Sequence, residues 1–389
     1  MRLFRVSEEL LPIDSHALRP APLKAEMSLR YRPGIYGSGA GDLSVDLSTD
    51  RLLVSGPMQS SMLQQLETIR IGRTLADRAA KAQGRRAVAL ASPVLPYVSM
   101  EPSSRRRREA LQGTEPDDSH MCGFTVHVAV TSPEEGVQVL DRIRVWMPVL
   151  LALSANSPFW SGRPSRMNSH RYFLRSKWPA PGPNAVFGST EEYERQAAIV
   201  AHPPGRRLTS DIHVDARLSA TRDSVEVLLT DVCLNAEHAA AVAALTRALV
   251  EVAVGEWRSG TPPPMTSVAE LRAASWLAAM NGVEGKLLSP MTARTRFSQD
   301  VVAELLEVVR PVLQEGGEAE YVADVMDDIW THGTGCRRQR DAYAVRQDPH
   351  DVVAAAMYAT HDPSHAHGVP GGILAEAWTL AESGKAASG

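Results

Sequence analysis

Residues 122–182 open with CGFTVHVAV (122–130), continue through LLALSANSPFWSG (150–162) and close on SHRYFLRSKWPAPG (169–182). The first piece alternates. Thr125, His127 and Ala129 fall on one side of an extended chain, and Phe124, Val126, Val128 and Val130 on the other, because successive side chains of a strand point to opposite faces. One face is apolar and the other is available for chemistry. Residues 133–155 then carry Val137, Leu140, Ile143, Val145, Met147, Leu150 and Leu151, an apolar stripe that predicts a helix lying on a sheet. Ser-Ala-Asn-Ser-Pro at 154–158 stops that helix, since the residue before a proline leaves the helical region. Trp160, Arg163, Arg166, Ser169 and Arg171 follow on a polar, cationic loop. A strand, a covering helix and an arginine-bearing loop predict a ligand site built on a sheet. These residues alone do not name the ligand.

The same pattern extends in both directions. Residues 3–14 (LFRVSEELLPID) predict an opening strand with Ser7 and Glu9 on one face and Val6, Glu8 and Leu10 on the other. Residues 15–49 read as irregular, with a Gly- and Pro-rich loop, while 42–55 supply another strand or two. Met62, Leu66, Ile69, Leu75 and Ala79 predict a helix over 59–84, and residues 85–92 a short buried strand beside it. Residues 98–121, with arginine at every position from Arg105 to Arg108, read as a mobile loop beside the site. Residues 209–234 predict an antiparallel hairpin. Its first strand places Asp211, His213, Asp215 and Arg217 on one face; its second places Ser224, Glu226, Leu228 and Thr230 together. That polar face is expected to line a site. A helix begins at 191–198, and from Asn235 onward the chain reads as helical, over 236–256, 267–282, 298–317, 318–333 and 333–348. The His-, Gly- and Pro-containing stretch after about Thr360 reads as a flexible tail.

Composition narrows the class. The chain has 389 residues, 44% of them hydrophobic, enough for a full core. Its formal charge of −4 favours neither nucleic acid nor an anionic membrane as partner. No run approaches the ~18 apolar residues of a membrane span, and acidic residues stand where a signal peptide needs an apolar stretch; the expectation is a soluble cytoplasmic protein. Cys122, Cys233 and Cys336 are odd in number and widely spaced, which supports neither a disulfide framework nor a zinc site. The chain lacks a phosphate loop, a strand–GxGxxG–helix unit, HExxH, CxxC and GxSxG, so the usual dehydrogenase, zinc-enzyme and serine-hydrolase readings fall away.

The succession CGFTVHVAV, IRVWMPVLLALSANSPFWSG (143–162), NSHR (168–171), WPAPG (178–182), HVDARLS (213–219), VEVLLTD (225–231) and GTGCRRQR (333–340) resembles the bacterial carboxylate–amine ligase family, also called type 2 glutamate–cysteine ligases. The resemblance implies an α+β fold of glutamine-synthetase type, with a curved, mainly antiparallel sheet forming a funnel and helices outside. It implies a single domain over 1–360, with 361–389 as a tail. It also implies ATP and Mg²⁺, an acyl phosphate made from a glutamate-like γ-carboxylate, and an amine that displaces the phosphate. No nucleic acid or membrane partner follows from it, and a homo-oligomer is compatible with it. On this reading Glu9, Glu226 and His127 hold the metal. Arg171, Arg217 and Arg340 serve the transferring phosphoryl group or the substrate carboxylate, and His127, Arg338 and Asp215 contact the nucleotide.

Several family positions are altered. The opening Gly-Val-Glu-x-Glu reads Arg5-Val6-Ser7-Glu8-Glu9, and Val54 stands where the family carries a Glu before Ala-Thr. His-Val-His becomes Thr125-Val126-His127, Glu-Val-Arg becomes Glu226-Val227-Leu228, and the cationic helix positions become Ser275 and Met280. Each lost donor weakens a Mg²⁺ site or removes ~3 kcal/mol of transition-state stabilisation. Two alternatives therefore stand beside the parent activity: a ligase with an altered substrate, and a catalytically impaired binding or scaffold protein.

Overall fold

In the computed structural model, residues 1–24, 26–31, 42–97, 120–177, 182–201 and 214–361 are described. The alternation in the opening strand sets the architecture. Strand β1 (Phe4–Asp14) buries Phe4, Val6, Glu8 and Leu10 and leaves Arg5, Ser7 and Glu9 half-buried on the other side. Along the chain follow β2 (Met27–Tyr31), β3 (Leu43–Leu47), β4 (Leu52–Ser55), β5 (Arg85–Val88), β6 (Phe124–Ala129), a short ribbon β7 (Phe159–Trp160) and β8 (Arg163–Pro164), then β9 (Ala216–Leu218) and β10 (Ser224–Val227). The main sheet runs β2-β3-β4-β1-β6-β10-β9, with β5 pairing the far end of β1. Its strand pairs are antiparallel. The register sets Ser7 opposite Ser55 and Thr125, and His127 opposite both Arg5 and Glu226. Glu226 in turn faces Arg217.

Helices pack against the sheet and against one another. They are α1 (Met62–Lys81), α2 (Pro133–Ile143), α3 (Met147–Ser154), α4 (His170–Arg175), α5 (Thr190–Ala201), α6 (Ala236–Arg258), α7 (Val268–Asn281), α8 (Ser298–Glu315), α9 (Ala319–His332), α10 (Gly335–Arg346) and α11 (Pro349–His361). Between α7 and α8 lies a second ribbon, β11 (Lys286–Leu288) and β12 (Thr295–Phe297). Ser61 and Gln64 form a capping box that starts α1 by satisfying its orphan N–H groups. Phe4, Val6, Phe124, Val126, Val128, Val225 and Val227 form one core with Met62, Leu66, Val137, Leu140 and the alanines of α6. Helix α6 is long and apolar enough to cross a membrane by length and composition, but 83% of its apolar window is buried inside the fold; it is the core helix. The expected α+β architecture with a mainly antiparallel sheet is what folds, and the sheet is open rather than closed.

Several sequence readings change. The loop expected from Trp160 to Arg171 carries the ribbon β7–β8 and the start of the helix His170–Arg175, capped by Ser169. Residues 133–155 make two helices, because Pro148, near the start of α3, has no N–H to continue the α2 ladder. Residues 15–49 are not wholly irregular: MSLRY pairs with β3 as the edge strand β2. The strand expected over 85–92 ends at Val88. Helix α11, unread in the sequence, closes the described chain. The Arg105–Arg108 run, Asp211, His213 and the tail beyond His361 lie outside the described residues.

Candidate active site

On the open face of the sheet, the cross-strand register builds a polar row from Arg5 on β1, His127 on β6, Glu226 on β10 and Arg217 on β9. Arg217 donates from Nε to Glu226 Oε2 at 2.7 Å, and His127 Nδ1 stands 3.4 Å from Glu226 Oε1. Burial raises the Glu226 carboxyl, but His127 and Arg217 beside it hold it below the usual carboxylate range. His127, only 7% exposed, also has Nε2 at 3.3 Å from Ser7 Oγ, which donates to Ser55 Oγ at 3.1 Å. Arg5 keeps a buried Nε with no hydrogen-bond partner among the described residues.

Glu9, two residues beyond Ser7, belongs to a neighbouring cluster. Arg51 Nη1 donates to its Oε1 at 2.6 Å, and the Gly123 N–H donates to its Oε2 at 2.8 Å. Arg51 Nε also lies 3.8 Å from Asp50 Oδ1. Burial opposes the charged form of Arg51, yet Glu9 and Asp50 raise its pKa above the ordinary arginine value. A third group forms around Asp215, which accepts from Tyr172 Oη at 3.4 Å. Burial lifts this aspartate to about 6 against the pull of Arg175. Arg175 donates to the Leu228 carbonyl at 2.8 Å, and burial followed by the charge of Arg171 brings it down to about 10.

Other expected site residues are tied into the scaffold. Arg171 is 4% exposed and donates from Nη1 to the carbonyls of Leu229 and Thr230 at 3.2 and 3.0 Å. It packs so closely over Gly123 that a Cβ there would stand 2.2 Å from Nη2, which explains the glycine in CGF. Asp231, fully buried, accepts from Ser157 Oγ, Ser169 Oγ and the Asn156 N–H at 2.7, 2.9 and 3.0 Å. The SANS and NSHR segments are thus pinned to one interior carboxylate. Arg340 donates from Nη1 to Asn168 Oδ1 and Glu284 Oε2 at 3.0 and 2.9 Å. Arg338 Nη2 donates to Asp328 Oδ2 at 2.9 Å; Asp328 also has His238 Nε2 and His332 Nδ1 at 2.8 Å. Cys122, Cys233 and Cys336 are free and buried.

The sequence model described as Glutamate-cysteine ligase family 2 (GCS2) matches residues 6–358. The chain belongs to that family. A family relative named "Putative glutamate--cysteine ligase 2-1" from Paenarthrobacter aurescens (strain TC1) is 39% identical over 372 residues, covering 93% of this chain and 96% of its own. Another, "Putative glutamate--cysteine ligase 2" from Streptomyces coelicolor (strain ATCC BAA-471 / A3(2) / M145), is 37% identical over 92% of this chain and 99% of its own. The fold is also that of the glutamate–cysteine ligase of Francisella tularensis, solved in complex with AMP. That likeness has a TM-score of 0.62 at 12% identity, over 99% of this chain and 93% of that one. A bifunctional glutathione synthetase from Pasteurella multocida gives 0.61 at 13% identity, with 93% of this chain spanning 52% of the larger protein.

Within this member of glutamate-cysteine ligase family 2, the residues do not fit the Mg²⁺ set expected from the sequence. His127 Nδ1 and Glu226 Oε1 face each other at 3.4 Å, but Glu9 stands apart with Arg51, and no group of three or more His, Cys, Asp or Glu side chains able to hold a metal exists among the described residues. The physical reason is charge pairing. A guanidinium is paired with one oxygen of each carboxylate, Arg51 on Glu9 and Arg217 on Glu226, and its positive charge opposes a divalent cation at the same group. Sequence reasoning missed Arg51, Arg5 and Arg175. The strand alternation marks Arg5 as sharing the face of Ser7 and Glu9; nothing local marks the other two.

Proposed function

We propose that this chain is an ATP-dependent ligase that joins a glutamate-like carboxylic acid to an amine. The supporting observation is the row of Arg5, His127, Glu226 and Arg217 across four adjacent strands on the open face, with Arg51 and Glu9 beside it. ATP would supply the phosphoryl group: the acid's oxygen takes it to give an acyl phosphate and ADP, and the amine then displaces phosphate to form the amide. Arg5, Arg51 and Arg217 would supply positive charge to the anions of both steps. His127, backed by Glu226, would take the proton that the amine must lose. A cytoplasmic location, where ATP and free amino acids are available, accords with this reading.

Incubating the purified chain with ATP, glutamate and a panel of amino-acid amines, with and without Mg²⁺, tests it. Amine-dependent ADP release with an amide product by mass spectrometry is expected, and Glu226→Gln lowers that rate by about 100-fold. Absence of amine-dependent ADP release across the panel sinks the proposal. One observation favours a second reading, a binding protein without turnover: Ser7, Thr125 and Leu228 lack the family's ionisable groups, and both floor carboxylates are held by arginine. Nucleotide binding by calorimetry without any product separates it from the first.

A further inference from the structure

We propose that Arg51 is a resident counter-ion that takes the place of a divalent cation on Glu9, so that this chain binds ATP through arginines and without a protein-held metal ion. The inference rests on the nucleotide-using function proposed above. Its basis is the geometry around Glu9. Both oxygens of that carboxylate are engaged, one by Arg51 Nη1 at 2.6 Å and the other by the Gly123 N–H at 2.8 Å. A metal ion at Glu9 would have to displace one of these donors or sit against the positive charge of Arg51.

Arg51 is held for this role by its own loop. Residues 48–51 join β3 to β4, and the Leu47–Leu52 pair closes them into a tight hairpin. Ser48 donates to the Arg51 carbonyl from both its N–H and its Oγ, at 2.9 and 3.0 Å. Asp50 Oδ1 lies 3.8 Å from Arg51 Nε. Two carboxylates and a turn therefore fix one guanidinium at the edge of the floor. Its side chain is 30% exposed and that of Glu9 25%, so the pair is reachable from the open face. Glu226 is paired through one oxygen with Arg217. Arg5 adds a further cation, its buried Nε without a partner among the described residues. A guanidinium presents fixed donors that match phosphate oxygens, and, unlike a metal ion, it does not leave when a chelator is added.

Two measurements on the whole chain test this. Mn²⁺ titration followed by electron paramagnetic resonance, without nucleotide, is expected to show no site tighter than about 1 mM in the wild type. Calorimetric ATP affinity is expected to change by less than about tenfold between EDTA and excess Mg²⁺. In Arg51→Gln, ATP affinity in EDTA falls by about tenfold or more and Mg²⁺ restores part of it. A tight Mn²⁺ site in the wild type, or ATP binding by the wild type that disappears in EDTA, overturns the inference and leaves the ligase reading standing. An unchanged ATP affinity in a folded Arg51→Gln also overturns it. Failure of the wild type to bind ATP under either condition overturns the nucleotide-using function, and this inference with it. The wild-type arms decide the matter even if Arg51→Gln does not fold.

Discussion

Asp215 releases its proton late. Its side chain is almost wholly buried, and burial raises its pKa from 3.8 to about 6, with Arg175 and Tyr172 opposing that shift. The sign of its contribution to stability follows. At a pH below 3.8 both folded and unfolded chains carry the proton, and the folded state bears no penalty. As pH rises toward about 6 the unfolded chain loses the proton first, so stability falls through that window and then levels off. Asp215→Asn, a neutral near-isostere, removes the penalty. It is expected to raise the unfolding free energy at ~pH 8 by roughly 1–3 kcal/mol and to change it little at ~pH 4. Urea titrations of both proteins at the two pH values check this; an equal shift at both rules out the proton as its source.

At the level of elements, an ion pair inside the core joins α1 to β1. Arg73 on α1, 2% exposed, donates to both oxygens of Glu8 at 3.1 and 2.7 Å and to the carbonyls of Cys233 and Leu234 at 2.7 Å. Breaking such a pair leaves a buried charge without its partner. Arg73→Met is therefore expected to cost about 3–5 kcal/mol in chemical denaturation, and Glu8→Leu added to it to recover part of that loss. If the double variant is no more stable than the single one, the pair is not the source of the cost. The pair also shows what the sequence can and cannot reveal. Alternation made β1, β6 and β10 legible, and with them the common face of Ser7, Glu9, His127 and Glu226. It could not show that Glu8, on the apolar side, meets an arginine 65 residues away, or that Arg51 crosses from the β3–β4 turn to Glu9. Strand register over long separations decides those contacts. Strand β2 stayed hidden because MSLRY is an exposed edge, held by its pairing with β3 rather than by its own pattern. The motifs NSHR and GTGCRRQR were legible as family signatures, yet Arg171, Arg338 and Arg340 turn to interior carbonyls, Asp328 and Glu284. A matching motif does not distinguish a side chain that holds the scaffold from one that faces a ligand.

Across the whole molecule, one sheet divides stability from chemistry between its two faces, and the division is sharp enough to test at adjacent residues. Val6 points into the core beneath α1 and is 2% exposed, whereas Ser7 lies on the open face with its Oγ on Ser55 and near His127. Removing two methyl groups from a closed core loses transfer free energy and leaves a void that the antiparallel sheet and its helices cannot fill without moving together. Removing the Ser7 hydroxyl breaks its hydrogen bonds to Ser55 Oγ and His127 Nε2 and leaves no core cavity. Val6→Ala is accordingly expected to lose roughly 2–3 kcal/mol of stability, with nucleotide affinity unchanged. Ser7→Ala should lose about 1 kcal/mol or less while shifting nucleotide affinity or turnover, because it frees His127 Nε2 from its neighbour. Chemical denaturation and calorimetric ATP titration of the two variants read both axes. A Val6→Ala chain with normal stability, or a Ser7→Ala chain that unfolds early but binds and turns over normally, would show that the faces do not divide the work in this way.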